Sequence, residues 1–427
     1  MSGLGFSWSP IRDTRAHMAQ SSQTNLNAVP VFGDRRTRPN VMTLVFMAGT
    51  AALSMNIFLP SMPGIAAAFD VDYALIQLAV SAYLALTGLL NLLVGPLADR
   101  YGRRIVLLSG FAVFVAASIG CVLAPNETVF LTCRMIQAVV ASGMVLSRTI
   151  VRDIYPRDQA ASMIGYVTMG MAVVPMIGPT VGGILDEIFG WRASFVLLAV
   201  FGGLVWVLIY FDLGETNPAQ GTTLRQQLRE YPALLGSRRF WGYALTAAFA
   251  SGAFFAFLGG APYVASEVLE MGQSETGMYF GIVALGYICG NWLSGRLTSA
   301  LGIFAMMQAG TLVSVAGMVL ALALLFVGAQ SPLSLFGPMF FVGMGNGMTL
   351  PSANAGLLSV RPKIAGTAPG LGGALMIGGG AALAATTGAL LGPQTGAWPL
   401  VGMMLAASLA SVASARYTIA IERQVAG

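Results

Sequence analysis

Residues 95–104 read GPLADRYGRR, a short polar break between two apolar runs, 74–98 and 104–124. Gly95 and Pro96 suit a tight turn and close helix approach. Asp99 can accept hydrogen bonds from an arginine or from the N-terminus of a neighbouring helix. Arg100, Arg103 and Arg104 put three permanent cations at one end of both runs. The pattern is that of a helical hairpin in a bilayer, with its turn held on one side of the membrane by charge.

The whole composition agrees. Of 427 residues, 56% are hydrophobic and only 9% charged, with a mean hydropathy of +0.75. Ordinary soluble domains carry about 25% charged residues. The net charge of +5 could suggest nucleic acid, but the basic residues sit in loops, which favours a membrane-topology reading and no nucleic-acid partner. Cys121, Cys133 and Cys289 lie within or beside apolar stretches and lack metal-ligand spacing. His17 is the sole histidine. With no histidine pair, metal cluster or nucleophile motif, the chain is expected to be no enzyme and to carry neither metal nor cofactor.

Working outward, twelve stretches of membrane-crossing length appear, about 20 residues each. They fall at 41–62, 74–98, 104–124, 128–147, 162–185 and 193–211, then at 240–265, 277–298, 302–328, 332–360, 364–391 and 397–415. The expected organisation is a disordered cytoplasmic tail (1–40), a six-helix half (41–211), a cytoplasmic linker (212–239), a second six-helix half (240–415) and a cytoplasmic tail (416–427). The tail has no apolar core of a signal peptide. Basic residues cluster at alternate loops: Arg35, Arg36 and Arg38; Arg100 to Arg104; Arg148, Arg152 and Arg157; Arg225 to Arg239; Arg361 and Lys363. The opposite loops carry Asp70, Asp72, Glu127, Asp186, Glu187, Glu267, Glu270 and Glu275. Both termini are therefore expected in the cytoplasm. An internal echo, NLLVGPLADRYG from Asn91 and NWLSGRLTSALG from Asn291, marks the two halves as a duplication.

The spacing of the opening stretch fits the G-x-L-a-D-r-x-G-r-r/k signature of the major facilitator superfamily, which the chain resembles. That resemblance implies an all-α integral membrane fold of twelve helices in two halves. It also implies that Gly95, Asp99, Arg100, Gly102, Arg103 and Arg104 form a cytoplasmic gate latching the halves together. RMIQAVVASG (134–143) resembles the fourth-helix pattern of drug exporters in the superfamily. Arg134, Gln137, Ala138 and Ala141 share a helix face. An intramembrane arginine costs at least ~2.5–3.5 kcal/mol on insertion scales. It reads either as a functional group, in anion binding or coupling, or as a structural arginine that snorkels outward. PMIGPTVGG (175–183) looks like the second part of the antiporter-type fifth-helix element, through Pro175, Gly178, Pro179, Gly182 and Gly183. Such small residues also suit plain helix packing.

With LSMNIFLPSMP (53–63) and RDIYPRDQAA (152–161) added, the closest resemblance is to bicyclomycin/chloramphenicol-resistance (Bcr/CflA-type) exporters, over essentially the whole chain after residue 40. This implies a bacterial inner-membrane drug:proton antiporter, monomeric by the superfamily's default, with an amphiphilic small-molecule substrate, protons and the lipid bilayer as partners. By the same resemblance, segments one, four, seven and ten line a central cavity. Candidate substrate or coupling residues are Asn56, Tyr83, Arg134, Gln137, Phe254, Phe255, Asn346 and Thr349. Asn56 departs from the family, which usually has an acid there, and an amide carries no proton. None of the twelve stretches contains Asp or Glu. An uncoupled or substrate-coupled facilitator of a small organic anion, paired with Arg134, therefore stays open beside antiport.

Overall fold

A bilayer offers no partners for backbone N–H and C=O groups, so apolar runs of this length must satisfy them internally as helices. The computed structural model describes residues 31–155, 163, 167, 174, 177–217, 232, 234–329, 331–360 and 367–426. The regular structure there is helical. We label the helices α1 (Val41–Phe69), α2 (Tyr73–Tyr101), α3 (Arg103–Val122), α4 (Glu127–Ile154), α5 (177–189), α6 (Arg192–Asp212) and α7 (Arg238–Val268). The rod Gln273–Phe326 divides at Gly302 into α8 (273–301) and α9 (303–326). Then come α10 (Pro332–Val360), α11 (Thr367–Leu390) and α12 (Trp398–Ala426). Among the described residues nine helices are long and apolar enough to cross a membrane, the divided rod counting once. The fifth stretch lies largely outside the described residues.

Side-chain caps fix several starts: Asn40 accepts from the Met42 N–H, Asn126 from Val129 and Ser237 from Phe240. Two helices are interrupted. α1 runs regularly to Asn56, turns through a 3₁₀ segment at Leu59–Ser61 containing Pro60, and resumes at Met62. α4 tightens to 3₁₀ geometry at Gln137–Val140. Both interruptions lie beside polar side chains discussed below.

The duplication read from sequence has a backbone counterpart. Gly102 (φ 96°, ψ 147°) and Gly302 (φ 83°, ψ 162°) occupy the same left-handed region at matching turns, a conformation that a side chain would strain. Asp70 (φ 55°) and Glu270 (φ 52°) do the same at the loops after α1 and α7.

In the first half α1 packs on α4 and α6, and α3 on α6; in the second, α7 packs on α10, α11 and α12. Edge-on ring contacts among Phe130, Trp191 and Phe195 fill one end of the first half. Phe257, Phe280 and Phe336 do so in the second. Leu89, Ile105, Leu204, Trp292 and Val319 point outward, as a lipid-facing surface requires. Of the sequence-assigned tail, residues 1–30 lie outside the described residues. Residues 31–40 depart from the expected disorder, because they fold against the end of α6.

Candidate functional site

Arg134 sits two turns into α4, wholly buried. Its Nε donates to the Ala79 carbonyl (3.2 Å) on α2. One terminal nitrogen donates to Ser54 Oγ (3.0 Å) and Gln137 Oε1 (2.8 Å), and the other to the Ser54 carbonyl (2.8 Å). The rings of Phe58 and Tyr83 lie 4.4 and 3.9 Å from the guanidinium carbon. Gln137 passes the network on, donating to Ser118 Oγ on α3 at 2.7 Å. None of the ion pairs found among the described residues involves Arg134. Four hydrogen bonds and two π faces stabilise the cation in place of a carboxylate.

The bend of α1 makes this possible. The Ser54 carbonyl is available to Arg134 because the regular helix ends at Asn56, so no residue-58 amide claims it. The arginine thus ties α1, α2 and α4 together at the point where α1 breaks. This geometry does not favour outward snorkelling, and it leaves the cation enclosed. Asn56 lies on the far side of the bend: its Nδ2 donates to the Ala52 carbonyl (2.7 Å), and its Oδ1 is buried without a partner.

On the basic face, Arg103 pairs with Asp99 and, through Nε, with Asp153 of α4 at 3.2 Å. Asn217 holds the Asp99 carbonyl (3.0 Å). Glu215, beyond α6, accepts from the N–H groups of Arg103 (2.9 Å) and Arg104 (3.2 Å), capping α3. A Cβ at Gly102 would collide with that carboxylate. Arg104 donates to the carbonyls of Leu213 (2.8 Å) and Tyr210 (3.1 Å), while Arg100 lies over the Tyr101 ring at 5.1 Å. Gly95 meets nothing within 4 Å. Among the described residues, the partners named here for Asp99, Arg103 and Arg104 lie in the first half and at the start of the linker, where the motif braces α2, α3, α4 and the end of α6.

Hydrogen bonds join the halves toward the acidic face. Tyr73 donates to the Gly259 carbonyl (2.9 Å) and Gln77 to the Ala384 carbonyl (2.6 Å), joining the start of α2 to α7 and α11. Gln77 fits because Gly259 and Gly388 present no side chain to it. Thr180 donates to the Gly277 carbonyl (3.0 Å), joining α5 to α8. The α5 glycines face both ways. A Cβ at Gly182 would overlap the Ile57 carbonyl of α1, and one at Gly183 would overlap the Gln273 carbonyl of α8. Gly178 faces Asn56, the Pro179 carbonyl abuts Gly277, and Pro175 lies outside the described residues.

The second-half candidates do not join the Arg134 cluster. The Phe255 ring fills the notch over Gly380 of α11. Thr349 is buried against Gly310 of α9. Asn346 is buried with its Oδ1 unpartnered, and Phe254 is partly buried beside Phe255. Motif reading passed over Tyr73, Gln77, Asp153, Asp212, Glu215 and Asn217. The two glutamine and tyrosine latches sit at a helix start where polar residues are routine. The acids and amide lie at the ends of helices, where they look solvated.

Residues 44–385 match the sequence profile of the Major Facilitator Superfamily. The chloramphenicol resistance protein of Pseudomonas aeruginosa is 32% identical over 361 residues, covering 82% of this chain and 84% of that one. Multidrug resistance protein D of Escherichia coli (strain K12) is 29% identical over 357 residues, covering 83% and 89% respectively. A solved bacterial homologue of the human lysosomal transporter Spinster, inward-facing and unoccupied, shares the fold with a TM-score of 0.67. That match covers 90% of this chain and 96% of the other at 19% identity. Profile, relatives and helical architecture agree: the chain belongs to the Major Facilitator Superfamily, a family of multi-pass membrane transporters.

Proposed function

We propose that the chain is an efflux transporter of the bacterial inner membrane that moves amphiphilic drugs by alternating access, with both termini cytoplasmic. One observation carries the mechanism: the cross-half hydrogen bonds of Tyr73, Gln77 and Thr180 all lie toward the acidic face. By the positive-inside rule that face is extracytoplasmic, so this conformation is closed to the outside. Export requires the seam to part and the basic face to close in turn. Chloramphenicol and multidrug resistance, named for the relatives, supply the substrate class. Arg134 and Gln137, with Tyr83, serve as the strut that holds α1 at its bend, close to Asn56. Phe254 and Asn346 are the second-half residues we assign to substrate contact; Phe255 and Thr349 support them through packing.

Proton antiport is the energy source we assign. Asn56 favours the alternative of a facilitator for an organic anion, yet the enclosure of Arg134 removes the cation that such an anion would meet. Efflux of a fluorescent drug from cells lacking their own exporters, with and without a proton uncoupler, tests both. Uncoupler-sensitive extrusion is expected; extrusion unaffected by uncoupler would favour the facilitator, and no extrusion would contradict drug export.

A further inference from the structure

The family's usual first-helix acid is absent at position 56, but the seam between α1 and α5 holds another carboxyl. Asp186 is half-buried near the end of α5, just past the apolar stretch 162–185. Its Oδ2 is buried without a hydrogen-bond partner. A Cβ at Gly64 of α1 would stand 3.9 Å from that oxygen, so the carboxyl lies on the α1 backbone. Ser61, fully buried in the 3₁₀ turn of α1, also has an unpartnered Oγ. Farther along the same seam is the orphan Oδ1 of Asn56, next to Gly178.

We propose that Asp186 is the carboxyl that takes up and releases the coupled proton in this chain, in place of the missing acid at position 56. The proposal rests on the antiport reading above. The step is a simple protonation: the proton adds to the carboxylate to give a neutral acid and leaves from it again, with no co-reactant. Closing the acidic face seats Gly183 against Gln273, one turn from Asp186, and so removes water from the carboxyl. Burial disfavours the charged form, so the carboxylate, hydrated and charged while the acidic face is open, takes up a proton from outside as that face closes over it and gives it up inward before the cycle reopens. Buried unpartnered acceptors normally find water or another donor. Ser61 Oγ and Asn56 Oδ1 therefore mark the path inward along α1.

The electrostatic setting is consistent. Burial pushes the Asp186 carboxyl up from its ordinary value. Charged groups at this end of the molecule are Asp70, Asp72, Glu127, Glu187, Glu267, Glu270 and Glu275, with Arg192 on α6. Arg192 is turned to the carbonyl of Val122 and the ring of Trp191.

The test uses the full-length protein in proteoliposomes, with ethidium as substrate and an imposed pH gradient. Wild type, Asp186→Asn, Asp186→Glu and, as an exposed neighbouring control, Glu187→Gln are compared, with ethidium binding and size-exclusion behaviour as checks on folding. Expected: Asp186→Asn binds and exchanges ethidium but loses gradient-driven transport. Asp186→Glu keeps that transport with a shifted pH profile, and Glu187→Gln behaves as wild type. Gradient-driven transport in Asp186→Asn would overturn the assignment of Asp186 alone. Should Asp186→Asn fail to fold, a folded Asp186→Glu with an unchanged pH profile would overturn it equally. Wild-type transport insensitive to the gradient would overturn the antiport reading, and this assignment with it.

Discussion

Gln77 donates from Nε2 to the carbonyl oxygen of Ala384 at 2.6 Å, joining the two halves through a side chain that is 2% exposed. Replacing it with leucine keeps the bulk and removes the donor, leaving the Ala384 carbonyl unpaired in a dry seam. An unpaired buried group costs about 1–3 kcal/mol, and 1.4 kcal/mol is a factor of ten in a two-state population. Gln77→Leu should therefore open the acidic face more often. A cysteine at Tyr263, in a background lacking Cys121, Cys133 and Cys289, should react faster with an impermeant thiol reagent added outside. Unchanged labelling would count against the seam.

Gly95 and Gly182 both belong to sequence motifs, but their surroundings differ. A Cβ at Gly182 overlaps the Ile57 carbonyl, whereas one at Gly95 meets nothing within 4 Å. Gly182→Ala should lower the yield of monodisperse protein and abolish transport; Gly95→Ala should leave folding intact. Equal size-exclusion profiles for the two variants would contradict the packing described at α1 and α5.

Arg134→Lys preserves charge and loses the planar fork. Lysine cannot reach Ala79, Ser54 and Gln137 together, and each acceptor left unpaired costs about 1–3 kcal/mol. The expected result is a lower melting temperature in detergent, with the loss exceeding that of Gln137→Leu. A variant as stable as wild type would show that the cage is not what holds α1, α2 and α4.

Asp212 ends α6 in a buried position and accepts from Gly33 N (3.0 Å), Asn40 N (2.8 Å) and Thr43 Oγ1 (2.6 Å). Three donors on one carboxylate anchor residues 31–40. Asp212→Ala should release them, so that trypsin cuts at Arg35 or Arg36 sooner than in wild type. Identical digestion kinetics would refute the anchor.

Segment lengths and the GPLADRYGRR turn made the membrane architecture legible in the sequence, because backbone satisfaction in lipid leaves few choices. The repeat was also legible: the echoed Gly102 and Gly302 share one backbone conformation. Faces were harder to read than segments. Phe255 and Thr349 lie on the expected helices but point at glycine notches, and a notch on α9 or α11 leaves no trace in the spacing of α7 or α10. Arg134 stood out as an intramembrane cation, yet its cage depends on a carbonyl freed by the bend of α1, a tertiary fact. Glu215 was silent for the same reason, since it meets Arg103 only after α6 returns to the start of α3.

The central claim, drug export through a cycle that opens and closes the acidic face, is tested most directly by a reversible lock. Cysteines replacing Gln77 and Ala384, in the cysteine-free background, are joined by a cleavable bifunctional reagent in cells lacking other exporters, and ethidium efflux is followed. The account predicts efflux before cross-linking, none while the seam is tied, and recovery on cleavage. Undiminished efflux from the cross-linked protein would contradict it.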